Sequence, residues 1–322
     1  MNGFIHDIDP VITEVGGLYL WWYGAAYTAG FAGIFLWLRQ ARVRLGLSLY
    51  QVYDLTILLA LSTLIGGRLV EVLFYEWSYY SQHPLHIAAF WLGGMSTHGV
   101  LTGSIVGLWL FAQRTGKSFW RLADELVIPG ALFMGVGRVG NFIDGQIIGA
   151  PAETWWAVEF PDIEGFRHPV VLYDGLKNLL LVPLLLLLRL RKPAAGILTA
   201  HFLFWYGILR FFVDQYREYR VSLFGLGPGQ GFNLIMALAG LILMWWHSRR
   251  AETETVGAPA VKATHKRAPA TLWPRRVTLT LLVLFPLVIP SDWTQDVPQR
   301  YGHRHPGMEY SLFYPPIDPP DE

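Results

Sequence analysis

The sequence predicts an all-α polytopic membrane bundle of seven transmembrane helices plus an eighth near the C-terminus, and three observations carry that expectation. Of its 322 residues, 53% are hydrophobic and 15% charged, more apolar surface than a water-soluble domain buries. From Val15 to Leu38 there is no charged side chain, and at ~1.5 Å per residue this run exceeds a hydrocarbon core of ~30 Å. Further apolar stretches at 53–75, 99–113, 122–141, 170–189, 197–216 and 231–247 complete the set of seven.

Taken in order, the first run has no basic flank before it and outlasts a signal-peptide core, so it reads as a retained anchor. The second contains Asp54, Arg68 and Glu71, charges that need a protein interior to face. Basic residues mark alternate helix ends: Arg39, Arg42 and Arg44; Arg114, Lys117 and Arg121; Arg189, Arg191 and Lys192; Arg249 and Arg250. The positive-inside rule places those ends in the cytoplasm and the N-terminus, with Asp7 and Asp9, outside. The outer loop 150–167 then carries Trp155 and Trp156, which suit an interfacial belt. Residues 1–250 form the membrane domain, and 251–272, rich in Ala, Thr and Pro, read as a cytoplasmic linker. Within 273–322, the run 277–291 follows Arg275 and Arg276 and predicts an additional crossing with an extracytoplasmic tail, although it is short and contains Pro286 and Pro290.

The net charge of +1 gives no pull towards nucleic acid. The absence of Cys excludes disulfides, thiolate zinc sites and an enzyme thiol nucleophile, so any reacting sulfur must come from the substrate. None of these residue patterns calls for a metal or a cofactor. Without an internal repeat, a transporter built from corresponding halves is the weaker reading, and a lipid-binding scaffold without turnover stays open.

Chemistry concentrates at the outer ends of the spans. Arg138, Asn141 and Phe142 share one helix face in Gly135-Val-Gly-Arg138-Val-Gly-Asn141-Phe142, where the glycines permit close backbone approach. Arg210, Asp214 and Arg217 form a charged stripe on the sixth span, Arg68 and Glu71 share a face on the second, and Asp124 lies in the fourth. Structural pairing accounts for some of these charges. If Arg68, Arg138 and Arg210 meet in one cavity, cations exceed carboxylates and the guanidinium forks suit a phospholipid phosphate. His98, between glycines in Gly93-Gly-Met-Ser-Thr-His98-Gly, is a general-base candidate at the same end, although a histidine at a helix start is more often a hydrogen-bonded structural residue.

The run Gly137-Arg138-Val-Gly140-Asn141-Phe142-Ile-Asp144-Gly-Gln146-Ile-Ile-Gly149 resembles the signature of the bacterial prolipoprotein diacylglyceryl transferases, Gly-Arg-x-Gly-Asn-Phe-x-Asn-x-Glu-x-x-Gly. Trp22-Tyr23-Gly24, Gly66-Gly67-Arg68, Gly94-Met-Ser-Thr-His98-Gly99, His168-Pro169 with Leu172-Tyr173, and Tyr206-Gly207 leading to Arg210 extend the resemblance over residues 8–250. It implies a multi-pass protein of the bacterial cytoplasmic (inner) membrane that transfers the diacylglyceryl group of phosphatidylglycerol to a lipoprotein signal-peptide Cys, with membrane lipids and prolipoproteins as partners. It marks Tyr23, His98, Arg138, Asn141, Gly149 and Arg210 as functional positions, and Asp124, Tyr206, Asp214 and Arg217 as supporting ones. In the expected chemistry Arg138 and Arg210 hold the phosphate, His98 and Tyr23 help remove the thiol proton, and Asn141 and Gly149 orient the head group. Two positions depart from the signature, Asp144 for Asn and Gln146 for Glu. Either Asp144 has taken over the missing carboxylate's work, or the chain uses another acceptor or donor.

Overall fold

The computed structural model describes residues 3–145, 147–161, 163–217, 228–253, 271–291 and 313–314. Along these the chain runs through helices α1 (Trp22–Ala41), α2 (Leu49–Phe74), the short α3 (Trp77–Tyr80), α4 (Thr97–Thr115), α5 (Phe119–Ile143), α6 (Val170–Leu190), α7 (Ile197–Val213), α8 (Pro228–Thr253) and α9 (Trp273–Leu284). Local signals set several ends. Ser48 and Gln51 form a reciprocal capping box that starts α2. At Gly116 the backbone turns left-handed (φ 66°) and stops α4.

The first expected span is displaced. Val11–Val15 (β2) and Leu18–Trp21 (β3) pair antiparallel, with Val15 opposite Leu18. The connecting Gly16 and Gly17 adopt φ of 62° and 88°, so this two-residue hairpin turn diverts the uncharged run and the helix begins only at Trp22. A second small sheet joins β1 (Phe4–Ile5), parallel, to β4 (Val158–Glu159), which pairs antiparallel with β5 (Phe166–Arg167). The described residues are therefore mostly helical, with short strands before α1 and between α5 and α6.

Five of the described helical segments are long and apolar enough to cross a membrane: 49–74, 119–143, 170–190, 197–216 and 229–249. These are five of the seven expected spans. Glycine, Ser, Thr and His dilute the apolarity of α1 and α4, and α9 has only 12 residues. Close glycine contacts pack α4 onto α2: a Cβ at Gly66 would lie 2.5 Å from the Gly99 carbonyl oxygen and 2.9 Å from Gly103 Cα. One core joins Leu38, Val52, Leu55, Phe111 and Leu122 between α1, α2, α4 and α5. Another joins Ile128, Leu181, Leu185, Phe202 and Tyr206 between α5, α6 and α7.

The basic ends are cross-tied by carboxylates. Glu125, buried on α5, receives Arg44, Arg189 (3.2 Å) and the Trp37 indole N–H (2.5 Å). Asp124 accepts from the Gly196 and Thr199 amides at 2.7 and 2.8 Å and from the Thr199 hydroxyl at 2.6 Å, capping the start of α7. Asp124 is thus a helix-holding residue at the end opposite the site. Of the expected linker, 251–253 continue α8 and 254–270 lie outside the described residues, as do 292–312 and 315–322 of the tail.

Candidate active site

The C-terminal ends of α5 and α7 and the N-terminal part of α6 meet around one carboxylate. Gly135 and Gly175 let α5 and α6 touch, since a Cβ at Gly175 would lie 3.1 Å from Arg138 Cβ and 3.2 Å from the Gly135 carbonyl. That proximity delivers Arg138 Nε to Asp174 Oδ2 at 2.5 Å. From α7, Arg210 Nη1 reaches Asp174 Oδ1 at 2.7 Å, and Lys177, one helical turn on, reaches the same oxygen at 3.1 Å. Asp174 and Lys177 are both buried, and the Lys177 ammonium also sits 3.5 Å from the centroid of the Tyr206 ring and donates to Asn178 Oδ1 at 2.8 Å.

A second carboxylate continues the network. Asp214 Oδ1 pairs with Arg210 Nε at 3.1 Å and faces Arg217 at 3.9 Å, while its Oδ2 accepts from the Asn233 amide of α8 at 2.8 Å. Arg138 Nη1 donates to Asn141 Oδ1 at 3.0 Å. Four cations, Arg138, Lys177, Arg210 and Arg217, therefore surround two carboxylates, an excess of positive charge. The closest contacts use Nε and Nη1 of both guanidinium groups, Arg138 on Asp174 and Asn141 and Arg210 on Asp174 and Asp214. Both side chains keep some exposure, 15% and 13%. Fixed cations in excess of carboxylates in a low-dielectric setting make a site for an anion whose charge grows during reaction.

Beside this network is a cavity of about 370 Å³ lined by Glu71, Tyr75, Gly94, Met95, Asn141, Ile147 and Ser291. Ile147 has φ 59°, a left-handed conformation that costs a β-branched residue on the order of 1–3 kcal/mol and that clusters at functional loops. Gly149 is held between two chain segments. Its amide donates to the His168 carbonyl (3.2 Å), Ala150 donates to that of Tyr216 (2.8 Å), and a Cβ at Gly149 would come within 2.5 Å of the His168 oxygen. His168 packs on Tyr173 of α6 and on Tyr216 beyond α7, and burial lowers its pKa below the ordinary imidazole value.

The remaining sequence candidates separate. Tyr23 is buried at the head of α1, its hydroxyl 3.0 Å from that of Tyr27, and a Cβ at Gly140 would meet Tyr23 Cα at 2.8 Å, so α1 lies directly on the signature helix. His98 is exposed on the first turn of α4 with its ring 5.7 Å from that of Phe232, and no hydrogen bond or ion pair of the Asp174 network described above reaches it. Arg68 does not join Arg138 and Arg210. Its guanidinium donates to the carbonyls of Ile87 (3.0 Å), His86 (2.8 Å), Ala89 (3.0 Å) and Gly93, and lies over the Tyr80 ring at 4.9 Å. Those contacts fasten residues 86–93 to α2 and consume the fork that a phosphate would need. Asp144 caps α5, and its Oδ2 accepts from the Ser291 amide at 3.2 Å. Gln146 lies outside the described residues.

Sequence reading overlooked Asp174 and Lys177, the centre of the cluster. Their signal was present: an Asp and a Lys three residues apart inside an otherwise apolar span must share a helix face and must find partners.

The model of the prolipoprotein diacylglyceryl transferase family matches residues 10–246. The chain is 38% identical over 259 residues to the phosphatidylglycerol–prolipoprotein diacylglyceryl transferase of Bordetella avium (strain 197N), covering 77% of this chain and 98% of that protein. It is 36% identical over 264 residues to the protein of that name from Pseudoalteromonas atlantica (79% and 94% covered). Identity is 39% over 252 residues to that from Geobacter sulfurreducens (76% and 96%).

Proposed function

The chain belongs to the prolipoprotein diacylglyceryl transferase family, and from that premise we propose that it transfers the diacylglyceryl group of phosphatidylglycerol to the cysteine thiol of a prolipoprotein signal peptide. The sulfur attacks the glycerol carbon that bears the phosphate. The carbon–oxygen bond breaks, the carbon–sulfur bond forms, and glycerol phosphate leaves with one more negative charge than the phosphodiester carried. The observation that carries this reading is the pairing of Arg138 and Arg210, from different helices, on opposite oxygens of buried Asp174, with cations in excess. Such a cluster interacts more strongly with the departing dianion than with the monoanionic lipid, which is where rate enhancement arises. His98 is assigned the thiol proton, with Tyr23 and Asn141 orienting the head group at the cavity.

The helices α1, α2 and α4 to α8 supply seven crossings of the cytoplasmic membrane with the N-terminus outside, which puts the basic ends in the cytoplasm. An eighth crossing by 273–291 is supported by its two ends: Arg275 meets Asp54 near the start of α2 at 2.7 Å, and Ser291 meets Asp144 at the opposite end of the bundle.

The test is incubation of purified protein with phosphatidylglycerol vesicles and a lipobox peptide, with the thioether read by mass spectrometry. Arg138→Ala and Arg210→Ala should each abolish product while the protein stays in the membrane, and Arg138→Lys should recover little because an ammonium lacks the planar fork. Normal turnover in both alanine variants would remove the phosphate clamp.

A further inference from the structure

The family match ends at residue 246, yet residues beyond it reach the site. The segment 273–291 fills the wedge between α1 and α2. The Thr28 hydroxyl donates to the Val283 carbonyl at 2.7 Å, Gly24 lies against the backbone of Pro286 and Leu287, and Phe285 stacks edge-on with Phe90 at 5.4 Å. Ile289 is buried against Phe31, Ala60 and Leu64, with Tyr27 and Met95 packed on the same cluster. Tyr27 is the partner of Tyr23, and Met95 lines the cavity beside Asn141. Ser291 lines that cavity too, and its amide donates to Asp144, one of the two positions where this chain departs from the family signature.

We propose that residues 273–291 form a wall of the transferase site and that Asp144 is the positioning residue that latches this wall onto the signature helix. An outer helix end offers no fixed partner for a chain arriving from α9, and a carboxylate at the α5 C-cap supplies a charge-assisted acceptor for the arriving amide. In this arrangement Asp144 does not do the work of the signature's glutamate. It holds in place the surface against which the donor head group rests. The inference relies on the proposed transferase reaction for its kinetic test and on geometry alone for its second test.

The kinetic test is a double-mutant cycle in the full-length protein. Asp144→Ala removes the acceptor and Ser291→Pro removes the donating amide. Each should lower kcat/KM for phosphatidylglycerol about tenfold, mainly through KM, and the double variant should be no worse than either single one. Losses that multiply, or a silent Ser291→Pro, would overturn the latch. The geometric test uses the absence of native Cys. Phe90→Cys with Phe285→Cys should be joined by a short bis-maleimide, and joining them should restore Asp144→Ala to within about threefold of the joined parent, since a covalent tie replaces the latch. A carboxylate that reacts with substrate would not be rescued in this way. If no lipidated peptide forms in any variant, the transferase reading fails, while the rate of cross-linking, fast in the parent and slowed but not abolished in Asp144→Ala, still judges the wall, and equal rates in the two would overturn the latch.

Discussion

Asp174 should matter more than its silence in the sequence suggests. Replacing it with Asn keeps the volume but removes the charge and points amide hydrogens at donors, leaving Arg138, Lys177 and Arg210 to repel one another. At ~4 Å and an effective dielectric of ~20, one cation–carboxylate pair is worth about 4 kcal/mol before desolvation, so three such pairs are a large gross term. The net cost of breaking a buried pair from one side is smaller, about 3–5 kcal/mol. Taking the middle of that range, about 4 kcal/mol, if between half and all of it falls on the reacting geometry, about 2–4 kcal/mol, kcat drops between about 30-fold and about 1,000-fold at ~1.36 kcal/mol per decade. KM for phosphatidylglycerol should rise no more than about threefold, because the cluster has gained net positive charge and still attracts an anion. The assay is initial-rate thioether formation in phosphatidylglycerol vesicles, with thermal unfolding as the check on folding and Asp174→Glu as the charge-retaining control. A folded Asp174→Asn protein with kcat within about threefold of wild type would refute the view that this carboxylate sets the arginines for catalysis.

Three further outcomes are expected. Gly149→Ala should lower both the midpoint of thermal unfolding and activity, with an overpacking cost of about 1–3 kcal/mol, since its methyl would press the His168 and Tyr216 carbonyls; an unchanged melting curve would show that the loop yields freely. His168, whose pKa burial depresses, favours the folded state only when neutral, so its contribution is complete above about pH 6.5 and is lost as pH falls through the folded value. His168→Gln should therefore flatten the acid side of the stability profile, measured by melting between pH 5 and 7, and an unaltered slope there would exclude the assignment. His98→Gln should cost more rate at pH 6–7 than at pH 9, where a peptide thiol of reference pKa ~8.5 is already largely ionised; an equal loss at every pH would make His98 a binding or structural residue.

What the sequence determined by itself follows from periodicity and solvent. Apolar runs with charges on one face require helices in lipid whose polar stripes turn inward, and the Gly-Arg-x-Gly-Asn-Phe run carried the family without any coordinates. The hairpin at Gly16 and Gly17 was legible in principle, because two adjacent glycines after the alternating Val11-Ile-Thr-Glu-Val15 are a turn signal, but an uncharged stretch masked it. Only the tertiary structure decided which charges meet. Arg68 and Arg138 look alike in sequence, each beside glycines in a membrane helix, yet one is consumed by the carbonyls of residues 86–93 and the other is aimed at Asp174. Asp144 likewise reads in sequence as a substitute for a missing carboxylate, and only the fold sets the Ser291 amide, 147 residues away, against it. Helical spacing fixes which side chains share a face, but partners on other helices are set by how the faces pack, and that information is spread over every contact in the bundle.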